Sequence, residues 1–218
     1  VTLARVAYMH FKGDLKGREL LVLGDDDLVS IAAGLTGLPK KIVVVDIDER
    51  LIEFIRKKSE EYGLNVIPTT LDLREPLPDE MSGKFDVFHT DPVETILGFK
   101  LFIGRGISSL KGPRCAGYFH LTLIESSLDK WRELQRILLS EFNVVITDLI
   151  PDFSEYTIWE YFEEMDSWKK LPESLKAKPK PGWYVSSLFR IETLQGSKGF
   201  NERVPANVNI YTDEEYMY

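Results

Sequence analysis

Acidic side chains recur where short apolar runs of this sequence end. They are Asp25, Asp26 and Asp27 after the first run, Asp46 and Asp48 after the second, Asp72 after the third, Asp91 and Glu94 after the fourth, and Asp148 after the sixth. Grouped carboxylates attract cationic ligands and can accept a proton from an amine. One acid at such a position is often only a helix cap, worth roughly 0.5–2 kcal/mol, so the interpretation depends on the whole set.

The turn Gly24–Asp27 has an unusual composition for its position. The apolar run Leu20–Leu23 precedes it and a helical pattern begins at Leu28, so the turn joins a first strand to a first helix. Nucleotide-binding folds place a glycine-rich turn here, because backbone N–H groups must approach an anion or a ribose. Three aspartates would instead repel an anionic ligand group and attract a cationic one.

An adenosine pocket is predicted beside this turn. Asp46 ends the second strand at the distance where dinucleotide-binding folds place the acid that binds ribose hydroxyls. Asp48 is expected to cap the following helix, and Asp72 either accepts from an adenine amino group or forms a local ion pair with Arg74. The predicted cofactor-binding residues are Gly24, Asp25, Asp26, Asp46 and Asp72.

Strands and helices alternate along the chain, and this alternation must bring the acids together. The continuous apolar run 41–48 is typical of a buried parallel strand, and the amphipathic pattern of 128–142 is typical of a helix packed on a sheet. With right-handed crossovers, the pattern predicts an α/β fold with a doubly wound, mostly parallel, seven-stranded sheet. Ligands of such sheets bind outside the carboxyl ends of the strands. Residues 1–12 are expected to be a short lead-in with little chemistry.

Composition limits the classes of function. A chain of 218 residues with 44% hydrophobic content can build one large domain, and its net charge of −8 argues against nucleic-acid binding. No apolar run suggests a membrane span, so no membrane partner is expected. The single cysteine, Cys115, fits a reducing cytoplasm. No clustered His or Cys pattern predicts a metal, and His89 and His120 are expected to be packed strand residues.

Three motifs together resemble one family. Gly24-Asp25-Asp26-Asp27, Val45-Asp46-Ile47-Asp48 and Asp91-Pro92-Val93-Glu94 resemble the branched-chain polyamine synthases, the archaeal and thermophilic-bacterial N4-bis(aminopropyl)spermidine synthases. The resemblance runs across the whole chain and implies a Rossmann-like, class I methyltransferase-like fold. It also implies transfer of an aminopropyl group from decarboxylated S-adenosylmethionine, the co-substrate, to the secondary amine of spermidine, with release of methylthioadenosine. No prosthetic group is implied.

The resemblance also suggests a domain organisation. Residues 1–200 would form the Rossmann-like catalytic domain, and residues 201–218 a flexible tail that carries tyrosines. Members of the family usually have an N-terminal winged-helix-like domain, of which this sequence shows no equivalent. The oligomeric state stays open, with a homodimer as one option.

The acidic turn suits this reaction on physical grounds. Ordinary S-adenosylmethionine carries a carboxylate close to the first-strand turn, whereas decarboxylation leaves only an ammonium beside the sulfonium. Three aspartates would therefore favour the decarboxylated form by repulsion of its relative as well as by attraction. The polyamine is also cationic, and a protonated amine is no nucleophile. The site must therefore free one nitrogen of its proton while holding the others by charge.

Roles for individual residues follow from the resemblance. Asp27 or Asp91 is predicted to accept the proton or to orient the reacting amine, and the sequence does not separate them. By analogy with linear aminopropyltransferases, an acid ending the fourth strand faces the transfer centre, which favours Asp91; Pro92 holds its backbone extended. The candidates for binding distal ammonium groups and the methylene chain are Glu94, Asp148, Asp152, Glu155, Trp159 and Trp183.

Two other functions remain open on the sequence. An S-adenosylmethionine-dependent methyltransferase would share the fold and most of the adenosine pocket. A catalytically silent domain that binds polyamines would share the acidic residues but would transfer nothing. A divalent cation at the aspartates is disfavoured, because transfer from a sulfonium needs no metal to stabilise its leaving group.

Overall fold

The structure is a computed structural model that describes residues 1–156, 163, 166–176 and 182–213. The strands are β1 (Glu19–Leu23), β2 (Lys41–Asp46), β3 (Val66–Thr70), β4 (Val87–Thr90), β5 (Ala116–Leu121), β6 (Val144–Glu155) and β7 (Val185–Thr193). The helices are α1 (Thr2–Phe11), α2 (Val29–Leu35), α3 (Glu49–Tyr62), α4 (Ile96–Ser109), α5 (Leu128–Arg136) and α6 (Asp166–Lys170). A π-helical turn (Ile137–Glu141) extends α5, and a 3₁₀ turn spans Glu173–Leu175. Within these ranges, no helix is long and apolar enough to cross a membrane.

One seven-stranded sheet organises the domain, in the order β3-β2-β1-β4-β5-β7-β6. The first five of these strands are parallel, and β7 runs antiparallel to both β5 and β6. The chain leaves β1 toward β2 and β3 and then returns to place β4 on the other side of β1, so the switch point lies between β1 and β4. The predicted doubly wound, mostly parallel sheet is confirmed.

Strand β1 is buried on both faces of the sheet. Leu20 and Val22 point into a core with side chains of α1, α2 and α3, while Leu21 and Leu23 point into a second core with α4 and α5. This is why the run reads as continuously apolar instead of alternating. Two packed layers therefore fix the position of the turn that follows Leu23.

The first twelve residues differ from the short lead-in that we predicted. They form the ten-residue helix α1, which buries Arg5, Val6 and Met9. Val6 and Met9 belong to the same core as α2. The helical pattern was missed because one of its three buried positions carries an arginine, which a hydrophobic periodicity scores as polar.

Residues 201–213 pack against the domain, whereas we predicted a flexible tail from residue 201. Val204 and Ile210 are buried in the larger core. The Thr95 hydroxyl donates to the Ile210 carbonyl over 2.6 Å, and Lys130 Nζ lies 2.9 Å from Asp213 Oδ1. Residues 214–218, which include the last two tyrosines, lie outside the described residues.

Arg105 of α4 fixes the start of this C-terminal segment. Its buried guanidinium donates to four backbone carbonyls, those of Leu73, Glu75, Phe200 and Glu202. Burial lowers the pKa of Arg105 to about 10, although the negative charge of Glu75 raises it. A segment held by backbone carbonyls leaves no hydrophobic period in its own sequence, so periodicity could not predict this packing.

The first aspartate of the acidic turn caps α2. Asp25 is 2% exposed, and its carboxylate accepts from the Val29 N–H (2.7 Å), the Ser30 N–H (3.2 Å) and the Ser30 hydroxyl. Leu28, in the left-handed conformation at φ +55°, turns the chain into the helix. Burial raises the pKa of Asp25 to about 7, although these hydrogen bonds lower it.

Replacement of Gly117 tests the packing of the central sheet. A Cβ at this position would lie 2.3 and 2.4 Å from ring atoms of Phe88 and 2.9 Å from Ile191. We expect Gly117→Ala to lower the free energy of unfolding by about 1–3 kcal/mol, measured by urea denaturation. Gly37→Asn is the control, because a side chain there meets open space at a φ of +64° that asparagine tolerates. Wild-type stability for Gly117→Ala would contradict the packing.

The capping aspartate predicts a pH dependence of stability. Because the folded pKa of about 7 exceeds the ordinary 3.8, the contribution of Asp25 is fully present below about pH 4 and is lost as the pH rises through 7. Between pH 4 and pH 8 we expect the free energy of unfolding of the wild type to fall by roughly 3–4 kcal/mol relative to that of Asp25→Asn, at about 1.4 kcal/mol per pKa unit. Urea denaturation of both proteins measures the difference, and a constant difference would contradict this effect of burial.

Candidate active site

A cavity of about 510 Å³ opens at the carboxyl edge of the sheet, over the switch point. Its walls come from the turns after β1, β2, β4 and β5. Seven acidic side chains line it: Asp25, Asp26, Asp27, Asp46, Asp91, Glu94 and Glu125. Among the lining residues that the structure describes, Arg5 carries the one positive charge. The site therefore has a strongly negative potential that focuses cations.

Arg5 joins the two aspartates that were predicted to act on the reacting nitrogen. It reaches them from α1 and is 1% exposed. Nη2 donates to Asp91 Oδ2 over 3.1 Å, and Nη1 lies 2.7 Å from Asp27 Oδ2 in an ion pair that lacks hydrogen-bond alignment. Nε donates to the Ser154 hydroxyl over 3.2 Å. Sequence reasoning missed this residue, because nothing local connects α1 to the ends of β1 and β4.

Asp91 accepts hydrogen bonds from two side chains of the cavity. Besides Arg5, the Tyr156 hydroxyl donates to its Oδ2 over 2.5 Å, and Ser186 donates to that hydroxyl over 3.2 Å. Desolvation of the carboxylate raises the pKa of Asp91, while the charge of Arg5 and the hydrogen bond from Tyr156 lower it. Burial, and then the charge of Asp91, raise the pKa of Tyr156. The Asp91 side chain still has 34% of its surface exposed, so a ligand can reach it.

Asp26, in the turn after β1, and Asp46, at the end of β2, bring two negative charges close together. Partial burial, and then the charges of Asp46, Asp27 and Asp48, raise the pKa of Asp26. Asp46 is oriented by backbone donors, since Oδ1 accepts from the Asp48 N–H (2.8 Å) and Oδ2 from the Asp25 N–H (3.3 Å). A bound cation would relieve the repulsion among these carboxylates.

A smaller pocket of about 50 Å³ adjoins Asp46. Gly24 lines it at φ +69°, a left-handed conformation that favours glycine. Tyr211 of the C-terminal segment forms part of the opposite wall. This is the place where the sequence predicts an adenosine pocket.

Asp72 and Asp48 have local partners. Asp72 lines the small pocket, but Arg74 donates to its two oxygens over 2.7–3.1 Å and thereby lowers its pKa. The local ion pair, one of the two alternatives for Asp72, is present. Asp48 caps α3 by accepting from the Arg50 N–H over 2.8 Å, so the expectation of a helix cap is confirmed.

Glu94 and Glu125 form a second acidic group on the far side of the cavity. Glu94 is 7% exposed, and its Oε1 accepts from the Thr122 N–H over 2.6 Å. Its Oε2 is buried without an aligned donor among the described residues, although the Ser126 hydroxyl is close enough to favour the charged form. Burial first, and then the Glu125 charge, raise the pKa of Glu94 well above its ordinary value.

Sequence reasoning missed Glu125. It follows β5, so the rule that found the other acids applied to it as well. The Tyr184 hydroxyl donates to Glu125, and a side pocket of about 140 Å³ is lined by Glu94, Glu125 and Tyr211. Glu125 therefore joins the candidate residues on the evidence of its position.

Four predicted substrate-binding residues do not line the cavity. Asp148 accepts from Tyr8 and Lys12, each over 2.9 Å. Burial raises the pKa of Asp148, but the hydrogen bonds lower it by more. Asp152 and Glu155 are exposed on the irregular strand β6, and Trp183 packs against its neighbour Tyr184. Trp159 lies outside the described residues. Binding roles for these five residues stay predictions without support from the cavity.

His89 and His120 are buried neighbours with ring centroids 5.6 Å apart. Burial, and then the charge of Arg5, lower the pKa of each well below the ordinary value. Neither is part of a metal-binding cluster, since the described residues include no group of three or more His, Cys, Asp or Glu placed to hold a metal ion. His89 also reaches the cavity wall.

The chain is similar over nearly its whole length to polyamine synthases. The N(4)-bis(aminopropyl)spermidine synthase of Thermococcus kodakarensis is 57% identical over 98% of this chain and 61% of that protein. The enzyme of the same name from Thermus thermophilus is 47% identical over 100% of this chain and 62% of that protein. The chain thus spans about three fifths of the length of these relatives.

Solved structures give the same grouping. The branched-chain polyamine synthase of Thermus thermophilus, in complex with N4-aminopropylspermidine and 5′-methylthioadenosine, matches with a TM-score of 0.90 and 47% identity, over 100% of this chain and 62% of that chain. TrmN of Thermus thermophilus matches with a TM-score of 0.58 over 88% of this chain and 48% of that chain; at 14% identity it shows the fold alone. The predicted methyltransferase-like fold is confirmed.

The family model described as the branched-chain polyamine synthase A C-terminal domain matches residues 1–217. That match, the identities of 57% and 47%, and the shared architecture agree with the motifs at the ends of β1, β2 and β4. The chain therefore belongs to the branched-chain polyamine synthase A C-terminal domain family.

Proposed function

We propose that this chain is the catalytic part of an aminopropyltransferase. It would move the aminopropyl group of decarboxylated S-adenosylmethionine to the secondary amine of spermidine, forming a branched polyamine and methylthioadenosine. The observation that carries the proposal is the set of seven acidic side chains around one cavity. Both substrates are cations, and the two molecules bound to the Thermus thermophilus relative have the chemistry of the two products.

The nucleoside is assigned to the small pocket beside Gly24 and Asp46 together with the adjoining part of the large cavity, which the same two residues also line. Each Asp46 oxygen that accepts a backbone N–H keeps a further lone pair, so the carboxylate can accept from ribose hydroxyls as well. Phe102 and Tyr211 supply apolar walls for a purine. Asp72 is assigned a structural part here, because Arg74 occupies its two oxygens.

The aminopropyl arm is assigned to the turn after β1. Asp26 lies among three other carboxylates that raise its pKa, and an ammonium beside it would stabilise its charged form. A carboxylate on the same arm would add one more negative charge to this group. The turn therefore favours the decarboxylated nucleotide and disfavours S-adenosylmethionine.

The polyamine is assigned to the large cavity between the two acidic groups. Its secondary nitrogen would lie at Asp27 and Asp91, and one of its terminal ammonium groups at Glu94 and Glu125. Tyr156 and Tyr184 would line the methylene chain. This arrangement leaves the secondary nitrogen as the one that faces the sulfonium.

The chemical step is a displacement at carbon. The lone pair of the secondary amine forms a bond to the aminopropyl carbon next to sulfur, the C–S bond breaks, and its electron pair stays on sulfur as the thioether of methylthioadenosine. The new ammonium then loses its remaining proton to a carboxylate. Asp91 is assigned this role over Asp27, because it follows β4 at the switch point and the Tyr156 hydroxyl fixes its Oδ2 in the cavity.

A mass assay tests this proposal. Spermidine and decarboxylated S-adenosylmethionine are incubated with the protein, and we expect the polyamine to gain one or two aminopropyl units. Asp91→Asn should lower kcat by about 10²- to 10⁴-fold, because the proton acceptor is lost; Asp27→Asn should also lower it. Asp129→Asn, which removes an exposed carboxylate of α5, is the matched control and should not change the rate.

The Thermococcus kodakarensis relative serves as a positive control for the reagents. Failure of the folded wild type to transfer an aminopropyl unit, under conditions where the relative does so, would overturn the proposal for this chain. A mass gain of a methyl group from S-adenosylmethionine would instead support the methyltransferase alternative. Unchanged turnover in Asp91→Asn would overturn the assignment of Asp91.

A further inference from the structure

We infer that Arg5 determines which nitrogen of the polyamine reacts, because its fixed positive charge makes an amine bound at Asp27 and Asp91 give up its proton more readily than beside those two carboxylates alone. The inference rests on the proposed function and deepens it. In this account Arg5 is a specificity-determining residue that takes no part in proton transfer itself.

The guanidinium is a fixed part of the site. Arg5 is 1% exposed, and contacts to Asp91, Asp27 and Ser154 hold its three nitrogens. Its guanidinium also lies over the Tyr156 ring, 6.0 Å from the centroid. Arginine stays protonated in proteins, so this position carries a permanent positive charge. A guanidinium held on every side cannot swing away to make room for a second cation.

An amine that binds these carboxylates must lie close to that charge. The Oδ2 atoms of Asp27 and Asp91 are 2.7 and 3.1 Å from the guanidinium nitrogens, so a ligand nitrogen at either carboxylate is a near neighbour of Arg5. The sulfonium of the co-substrate would add a second positive charge near the same amine. These positive charges offset the attraction of the two carboxylates for an ammonium ion, so the bound amine loses its proton more easily. A neutral amine also keeps the lone pair that the displacement requires.

The second acidic group has the opposite character. Glu94 and Glu125 together line the cavity and its side pocket, and the Tyr184 hydroxyl donates to Glu125. Burial and mutual repulsion raise the pKa of Glu94, so an incoming ammonium would relieve an unfavourable arrangement. The cavity therefore sorts amines by charge. A terminal ammonium goes to Glu94 and Glu125, and the amine that loses its proton most readily goes to Asp27 and Asp91, beside Arg5.

This sorting suits the secondary nitrogen of spermidine. That nitrogen lies between two terminal ammonium groups, whose charges make it the amine that loses its proton most readily. The titratable groups that face the guanidinium are Asp27, Asp91, Tyr156, His89 and His120. Both histidines stay neutral because burial lowers their pKa well below the ordinary value, so they add no competing charge near neutral pH.

The first test is the pH dependence of kcat for spermidine in the wild type, Arg5→Lys and Arg5→Gln. Without the positive charge, the bound amine should hold its proton more strongly. We therefore expect the acidic limb of kcat in Arg5→Gln to move about one pH unit toward alkaline values, while KM for spermidine falls. Arg5→Lys keeps the charge and should keep the limb near its wild-type position.

A merely structural role for Arg5 would give a different result. Loss of contacts between α1 and the cavity would lower kcat by the same factor at every pH, would leave the limb in place, and would affect Arg5→Lys as well. That result would overturn the inference. If the wild type transfers an aminopropyl group with this outcome, the proposed function survives; if it transfers none, the proposed function fails first.

A second measurement uses the wild type alone, in case Arg5→Gln does not fold. Calorimetry of spermidine binding in buffers of different ionisation enthalpy gives the number of protons released. Near pH 8, we expect about one more proton to be released by spermidine than by 1,8-diaminooctane, which has two terminal amines and no secondary nitrogen. Equal proton release for the two ligands would overturn the inference.

Discussion

The ion pairs of Arg5 with Asp27 and Asp91 connect three of the elements that build the cavity. Arg5 belongs to α1, Asp27 to the turn after β1, and Asp91 to the end of β4, so the three residues tie the first helix to both sides of the switch point. Two carboxylates this close would repel each other without a cation between them. Removal of the guanidinium would take away the positive charge that both carboxylates share. Because that charge lies in a buried position, its loss would be costly. The site therefore depends on the position of α1, which packing against the rest of the domain fixes.

The fold provides two further constraints on the cavity. Buried β1 fixes the acidic turn from below, and the cap that Asp25 forms on α2 fixes it from the side. Arg105 holds the backbone around residue 200, so that Ile210 and Tyr211 reach the small pocket. These elements hold the carboxylates close together in spite of their repulsion. A site of this kind favours ligands that bring positive charge, which is the property common to a decarboxylated sulfonium nucleotide and a polyamine.

Local patterns in the sequence predicted the sheet and much of the acidic rim, because strands and the acids that follow them are adjacent in the chain. Asp27 was found in this way, and Glu125 could have been, since it also follows a strand. Arg5 and Tyr156 could not be found by local rules, because 151 residues separate them and only the fold brings both to Asp91. Asp148 shows the converse error. It ends an apolar run as the others do, but it lies on the edge strand β6 and pairs with Tyr8 of α1 and with Lys12 directly after that helix.

Selection by charge at the turn after β1 is the central claim, and nucleotide affinity tests it most directly. Equilibrium binding of decarboxylated and ordinary S-adenosylmethionine is measured on the wild type and on Asp26→Asn. We expect the decarboxylated form to bind the wild type about tenfold more tightly or better, since roughly 1.4 kcal/mol of differential repulsion is enough for that ratio. The ratio should narrow in Asp26→Asn. Equal or tighter binding of ordinary S-adenosylmethionine by the wild type would contradict selection by charge.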